Sequence, residues 1–225
     1  MSKTEEPTDN RRARSEATQD ALMRAAERLI AERGVENVSI REIVAAAKQK
    51  NESALQYHFK SLTGLIDAIH AQRAEQIQQK RAELLEATLA KVPEPTLREL
   101  CPIMIEPSFQ LARADRSFRN YIKAFGHTLA MTDTSPLKLV QGEDSANRLA
   151  RLLISALPHL DKADYRARME AAIRLSSASI YHQARQNNAF RGKQSDLFLN
   201  NLVDALFGLL SAPVSSETQR LKKKR

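Results

Sequence analysis

One cysteine, no tryptophan, six glycines and eight prolines in 225 residues set the first limits. A lone thiol, Cys101, cannot close an intrachain disulfide, so a disulfide-stapled secreted scaffold is excluded. An all-β chain turns every ~8–12 residues and needs more Gly and Pro than this. Residues 1–14 are polar and charged, without the apolar stretch of a signal peptide. The longest late stretch free of Lys and Arg, 194–219, holds Asp196, Asn200, Asn201 and Asp204 and does not read as a membrane span. No Gly-rich phosphate loop, Gly-x-Ser-x-Gly elbow or His-Glu-x-x-His occurs. The histidines (His58, His70, His127, His159 and His182) fall at no i,i+3 or i,i+4 spacing with one another or with Cys101. The expectation is a cytoplasmic protein that is not an enzyme and uses neither metal nor cofactor.

What is abundant is Ala, Leu, Arg, Glu and Gln, the residues of helices. Hydrophobic residues at 42% and charged ones at 28% suit an ordinary globular core and surface. The net charge of +8 is unevenly placed: residues 1–60 carry 11 Lys/Arg against 10 Asp/Glu, whereas Arg220, Lys222, Lys223, Lys224 and Arg225 crowd the end. That tail is either a solvated basic end or a grip on phosphate.

Residues 1–13 read as a disordered arm. An apolar stripe then recurs at helical steps through Ala17, Ala21, Leu22, Ala25, Leu29 and Ile30, closed by Gly34. Ser39-Ile40-Arg41-Glu42 is a capping box that opens a short helix with Ile40, Ile43, Val44 and Ala47 inward. Asn51 can cap a third helix carrying Leu55 and Phe59, and Ser61 a fourth, which runs over 61–91 until Pro93 and Pro95 stop it. Such a helix spans about 45 Å at ~1.5 Å per residue and suits a connector. Beyond it, Thr96-Leu97-Arg98-Glu99 repeats the capping box. Helical segments are expected over 96–114 (kinked at Pro102 and Pro107), 117–131, 144–157, 161–188 from an Asp161 cap, and 195–211 from a Ser195 cap. The fold class is therefore all-α. A three-helix unit over 14–60, a linking helix over 61–91, a larger helical body over 92–213 and a basic tail over 214–225 make up the plan.

Segments 40–47 and 52–59, joined by a turn of about four residues, fit a helix-turn-helix, whose second helix enters the DNA major groove. With Leu55 and Phe59 behind it, that helix presents Glu52, Ser53, Ala54, Gln56, Tyr57 and His58 in front. Gln56 can pair bidentately with an adenine edge and Glu52 can accept from a cytosine amine. Ser53 and Ala54 are small enough for close approach. Ser39, Lys48, Lys50, Tyr57, His58 and Lys60 are expected at the DNA as well, mostly on phosphates, which set register rather than sequence.

Residues 14–70 resemble the DNA-binding domain of the tetracycline-repressor (TetR) family of bacterial transcriptional regulators. The resemblance rests on Gly34, Ser39-Ile40-Arg41-Glu42-Ile43-Val44-Ala45-Ala46-Ala47, Ser53-Ala54-Leu55-Gln56-Tyr57-His58-Phe59 and Leu65. The string from Gln49 to Phe59, QKNESALQYHF, looks like a recurrent variant of the recognition helix. The family implies a homodimer on a palindromic operator in double-stranded DNA, usually repressing, with a divergent C-terminal domain that holds a small-molecule effector. Two positions depart from the family pattern: Lys48 stands where the turn usually has glycine, and Leu62 where a phosphate-binding lysine usually starts the fourth helix, with Lys60 two residues earlier. A lysine in a left-handed turn costs about 1 kcal/mol or more, so either the turn changes shape or the strain is tolerated.

Nine of the eleven Phe and Tyr residues follow position 100. Among them Phe109, Phe125 and Tyr181, with Met104, are candidates to line an apolar ligand cavity. Segment 195–211 is apolar round more than one face, and segment 161–188 is rich in Ala and Ser, so these two are expected to pair with a second copy of the chain. The competing reading, kept open by Lys48 and Leu62, is a helical protein-interaction module with a degraded helix-turn-helix.

Overall fold

A computed structural model describes residues 6–131, 133–135, 137 and 144–223, and within them every regular element is helical. The elements are α1 (Glu6–Arg33), a 3-10 turn (Val35–Asn37), α2 (Ile40–Ala46), α3 (Ser53–Phe59), α4 (Leu62–Lys91), α5 (Leu97–Ala114), α6 (Arg116–Phe125), α7 (Thr128–Met131), α8 (Asp144–Ala156), α9 (Lys162–Ala184), α10 (Gly192–Ser211) and α11 (Ser216–Lys222). No single described helix is long and apolar enough to cross a membrane.

The chain divides into two compact units. The first comprises Met1–Glu75 with Ser117–Phe125, and the second Gln76–Arg116 with Gly126–Arg225. Apolar residues at helical spacing build the first core: Leu22 and Ala26 of α1, Ile43 of α2, Leu55 of α3, and Leu65 and Ile69 of α4 are all fully buried. Ala124 joins this cluster, and Tyr121 and Phe125 pack against it. The sequence placed 117–131 in the C-terminal body. Most of α6 instead belongs to the first unit, because its apolar side completes that core. In the second unit α5 packs on α8 and α10, and α9 on α7 and α10. Its centre is aromatic, with Phe109 and Phe190 edge-to-face at 5.4 Å.

Local chemistry explains most helix ends. The Glu42 carboxylate accepts from the Ser39 amide at 2.9 Å, while the Glu42 amide donates to Ser39 Oγ at 3.3 Å. Glu99 accepts from the Thr96 amide at 2.7 Å. Asp161 takes the amides of Ala163 and Asp164, both at 2.9 Å. α4 ends at Lys91, just before Pro93 and Pro95.

Several expectations need correction. α1 begins at Glu6, so residues 6–13 are helix rather than disordered arm. Pro7 sits in the first turn, where its missing N–H costs nothing. Residues 1–5 of the arm lie outside the described residues, as do residues 224–225 of the tail. α5 runs unbroken through Pro102 and Pro107. Each proline removes one backbone bond, yet burial of Leu100, Cys101, Ile103, Ile105 and Phe109 holds the segment helical. Segment 117–131 splits into α6 and α7. Ser195 does not cap α10, which starts at Gly192; its Oγ is buried without a hydrogen-bond partner among the described residues. Segment 161–188 stops being helical after Ala184, and Asn188 and Phe190 then turn at positive φ (58° and 62°).

Within the tail, residues 216–222 form α11, capped by Ser215, and Lys222 pairs with Asp161 at 2.7 Å and with Asp164. Those bonds, Lys222 first, hold the Asp161 carboxyl below its ordinary range. Arg168 donates to the carbonyls of Leu210 at 3.1 Å and Pro213 at 3.2 Å, closing the end of α10.

Candidate nucleic-acid interface

The site is built from the turn between α2 and α3. α2 closes with the Gln49 amide on the Val44 carbonyl and the Lys48 amide on the Ala45 carbonyl, both at 3.0 Å. This is a Schellman pair, whose closing residue must be left-handed. Lys48 fills that place with φ 57°, so the turn keeps the shape a glycine would take and the lysine carries the strain. At the other end of α2, Arg33 Nη1 donates to Glu42 at 2.7 Å. Hydrogen bonds from the Ser39 backbone, then its side chain, then Arg33 pull the Glu42 carboxyl down to about 2. Ser39, expected on a phosphate, spends its hydroxyl on Glu42 at 2.7 Å instead.

Asn51 opens α3 by accepting from the Ser53 amide at 2.8 Å, with Ser53 Oγ turned back onto the same oxygen. One face of α3 is then buried through Leu55 and Phe59, and the other leaves Glu52, Ser53, Gln56 and Tyr57 exposed. Tyr57 is 74% exposed, an unusual state for so large a ring. Lys48, Lys50 and Lys60 are exposed around the same helix. Ala54 is half-buried against the core, and the His58 ring meets Gln19 of α1 at 3.2 Å, so these two serve packing more than the outward face.

The exit from α3 is tight. The Ser61 amide bonds the Phe59 carbonyl at 2.8 Å across Lys60, which sits at φ 67° and ψ −38°. That is a γ-turn, a rare and strained conformation. The Gly64 amide donates to Ser61 Oγ at 3.0 Å. A Cβ on Gly64 would lie 2.1 Å from the Phe59 carbonyl oxygen, so only glycine lets α4 start this close to α3. Leu62 packs half-buried against the core, which accounts for a leucine at the place of the family's lysine and leaves Lys60 as the exposed cation there.

Behind this face, α1, α4 and α6 share a buried polar cluster. Arg73 Nε and Nη2 donate to the two Glu27 oxygens at 2.7 Å each, and Nη2 also donates to Ser117 Oγ at 2.9 Å. The side chains of Arg73 and Glu27 are only 4% and 1% exposed. Arg73 also stacks over Phe118 at 5.4 Å. His70 meets Tyr121 Oη at 3.3 Å and the Phe125 ring at 4.8 Å. Burial pushes Tyr121 up to about 12, with Glu27 adding to the rise, and lowers His70 below its ordinary value. Neither Gln19, Gly64 nor the Glu27–Arg73 pair was singled out in the sequence. Gly64, a glycine in an apolar first turn, carried the one local signal; the others join residues 39 and 46 positions apart.

The residues expected to line a ligand cavity do not converge. Phe125 packs against the first unit's core. Phe109 meets Phe190 edge-to-face and stacks on Phe198, and Tyr181 lies 5.6 Å from His127 with Arg185 over its face. Met104 is half-buried on α5. The second unit does hold an open groove of about 320 Å³ between α4 and α5, whose lining includes Leu84, Thr88, Lys91, Ile103 and Glu106. Among the described residues no three His, Cys, Asp or Glu gather as a metal site. Burial raises the Cys101 thiol to about 11, which leaves it protonated and unreactive at neutral pH.

Residues 22–69 match the family model of bacterial regulatory proteins, tetR family. The matched stretch contains the capping box, the Schellman turn and all of α3. Among solved structures, the chain is similar to RolR in complex with resorcinol, at 17% identity over 91% of this chain and 98% of that one, with a TM-score of 0.48. It is also similar to GusR of Salmonella enterica, at 21% identity over 94% and 100%, with a TM-score of 0.42. No curated protein matches it in sequence.

Proposed function

We propose that this protein, whose N-terminal unit carries a DNA-binding domain of the tetR type, is a ligand-responsive transcriptional regulator. It acts as a homodimer on a palindromic operator and represses until a small molecule releases it. The observation that carries this reading is the exposed face of α3. Glu52, Ser53, Gln56 and Tyr57 stand clear of a helix whose other face is locked into the core by Leu55 and Phe59. The QKNESALQYHF string is a variant of that recognition helix. Gln56 reads an adenine edge, Glu52 a cytosine amine, and Lys48, Lys50, Tyr57 and Lys60 hold phosphates. Ser39 caps α2, and Ala54 and His58 position α3 from behind.

Dimerisation through α9 and α10 is supported by what they leave uncovered. Ala163, Ala167, Ala171 and Ala178 are exposed along α9, and Leu197, Ala205 and Gly208 along α10. A Cβ on Gly208 would meet nothing within 4 Å, so a second copy has room to approach. Effector binding belongs to the second unit, within reach of the α4–α5 groove. α4 is one continuous helix with residues in both units, so a shift in its second half alters the recognition helices' spacing. Half-sites lie about 34 Å apart per turn, and a few ångströms misregisters one of them.

Selection of random duplex DNA on the purified protein at about 0.15 M salt tests the reading. It should enrich a palindrome, and Gln56→Ala should relax one position per half-site by about 1–3 kcal/mol. A folded dimer that enriches no sequence, with and without candidate effectors, would return the weight to the protein-interaction module.

A further inference from the structure

From Arg11 onward, where the side chains of α1 are described, Leu22 is the first buried residue, and Arg11, Arg12 and Arg14 are exposed. Arg11, Arg12, Ser15, Glu16 and Gln19 of α1 form one wall of an open groove, and Tyr57 of α3 stands on the other side. Gln19 is hydrogen-bonded to His58 at 3.2 Å, which ties this stretch of α1 to the recognition helix itself. The groove is therefore continuous with the face proposed to read DNA.

Charge decides what it fits. Arg12 pairs with Glu16 at 3.1 Å, so the one acid lining the groove among the described residues is already compensated. Asp20, one residue beyond, accepts from Gln72 of α4 at 3.3 Å. Arg11 pairs with no carboxylate among the described residues, and the largely exposed Tyr57 lines the same open groove. A guanidinium and a phenol on opposite walls are donors for one class of group, an anionic oxygen. Resting on the regulator reading, we infer that this groove seats the DNA sugar-phosphate backbone beside the half-site. Arg11 and Tyr57 then grip a phosphate outside the base pairs read by Gln56. The contact adds affinity and fixes how far the recognition helix advances along the groove, without choosing bases.

The test uses the full-length protein, its selected operator, and the salt dependence of binding. Each phosphate contact contributes about 0.9 to the slope of log K against log salt, so Arg11→Gln, lost twice in the dimer, should lower the slope by about 1.8. At 0.15 M salt that corresponds to about 30-fold weaker binding, with the selected sequence unchanged. Arg11→Lys should keep the slope, and hydroxyl-radical protection just outside each half-site should vanish only in Arg11→Gln. Arg11 is exposed, so the fold is not at risk. If the parent protein binds its palindrome and Arg11→Gln leaves slope and footprint intact, the inference is overturned while the regulator reading stands. If the parent selects no sequence, it is that reading that fails.

Discussion

Removing the guanidinium of Arg73 tests how the first unit is held together. In Arg73→Met the Glu27 carboxylate stays 1% exposed but loses two 2.7 Å charge-assisted bonds. Breaking a buried pair from one side costs about 3–5 kcal/mol, because the remaining charge is stranded in a low-dielectric site. For a chain of this length that lowers the melting temperature by about 10 °C, at ~2–4 °C per kcal/mol. Ser117→Ala removes the 2.9 Å bond to Arg73 and leaves the Glu27–Arg73 pair in place, so it should cost less, about 1.5–3 kcal/mol. The informative variant is the double one. Glu27→Leu with Arg73→Met replaces the pair by apolar groups of similar length, and such swaps are often neutral or stabilising. Urea or thermal unfolding of the four proteins decides it. A double variant no more stable than Arg73→Met alone would refute the argument, since the loss would then come from packing rather than from a stranded charge.

Gly64→Ala should destabilise the first unit by about 3 kcal/mol, because the new methyl would meet the Phe59 carbonyl oxygen at 2.1 Å; thermal unfolding reads this, and a loss under 1 kcal/mol would show that α4 can retreat. Lys48→Gly relieves a φ of 57° and should gain about 1 kcal/mol of stability while weakening DNA binding and reducing its salt slope. Stability without loss of affinity would free Lys48 from any phosphate contact. His70 faces Tyr121, Phe125 and, along its own helix, Asp67, and burial lowers its pKa. The unfolded chain therefore binds the proton more readily, and the stabilisation present above the ordinary value of 6.5 is lost as pH falls through the lowered folded value. Melting temperatures measured from pH 7.5 downward should show this decline, and His70→Phe should flatten it.

Short-range chemistry was legible without a fold. The capping boxes at Ser39 and Thr96, the Asp161 cap and the stop before Pro93 are each set by atoms within about four residues, so sequence alone determined those ends. The inward faces of α2 and α3 followed from the same local periodicity, and with them the outward set of Glu52, Ser53, Gln56 and Tyr57. Where a neighbour distant in sequence decides, the reading missed. The end of α1 was extended by a first-turn proline rather than by an apolar stripe, and α6 was drawn to the first unit by Tyr121, Ala124 and Phe125, far from the residues they meet. His58 and Gln19 lie 39 positions apart, and Glu27 and Arg73 46, and burial of such pairs comes only from how helices cross. The aromatic residues of the C-terminal body show the limit most plainly. Periodicity placed them inside, but which ring meets which is a matter of packing, and tertiary structure alone dispersed Phe109, Phe125 and Tyr181 among separate clusters.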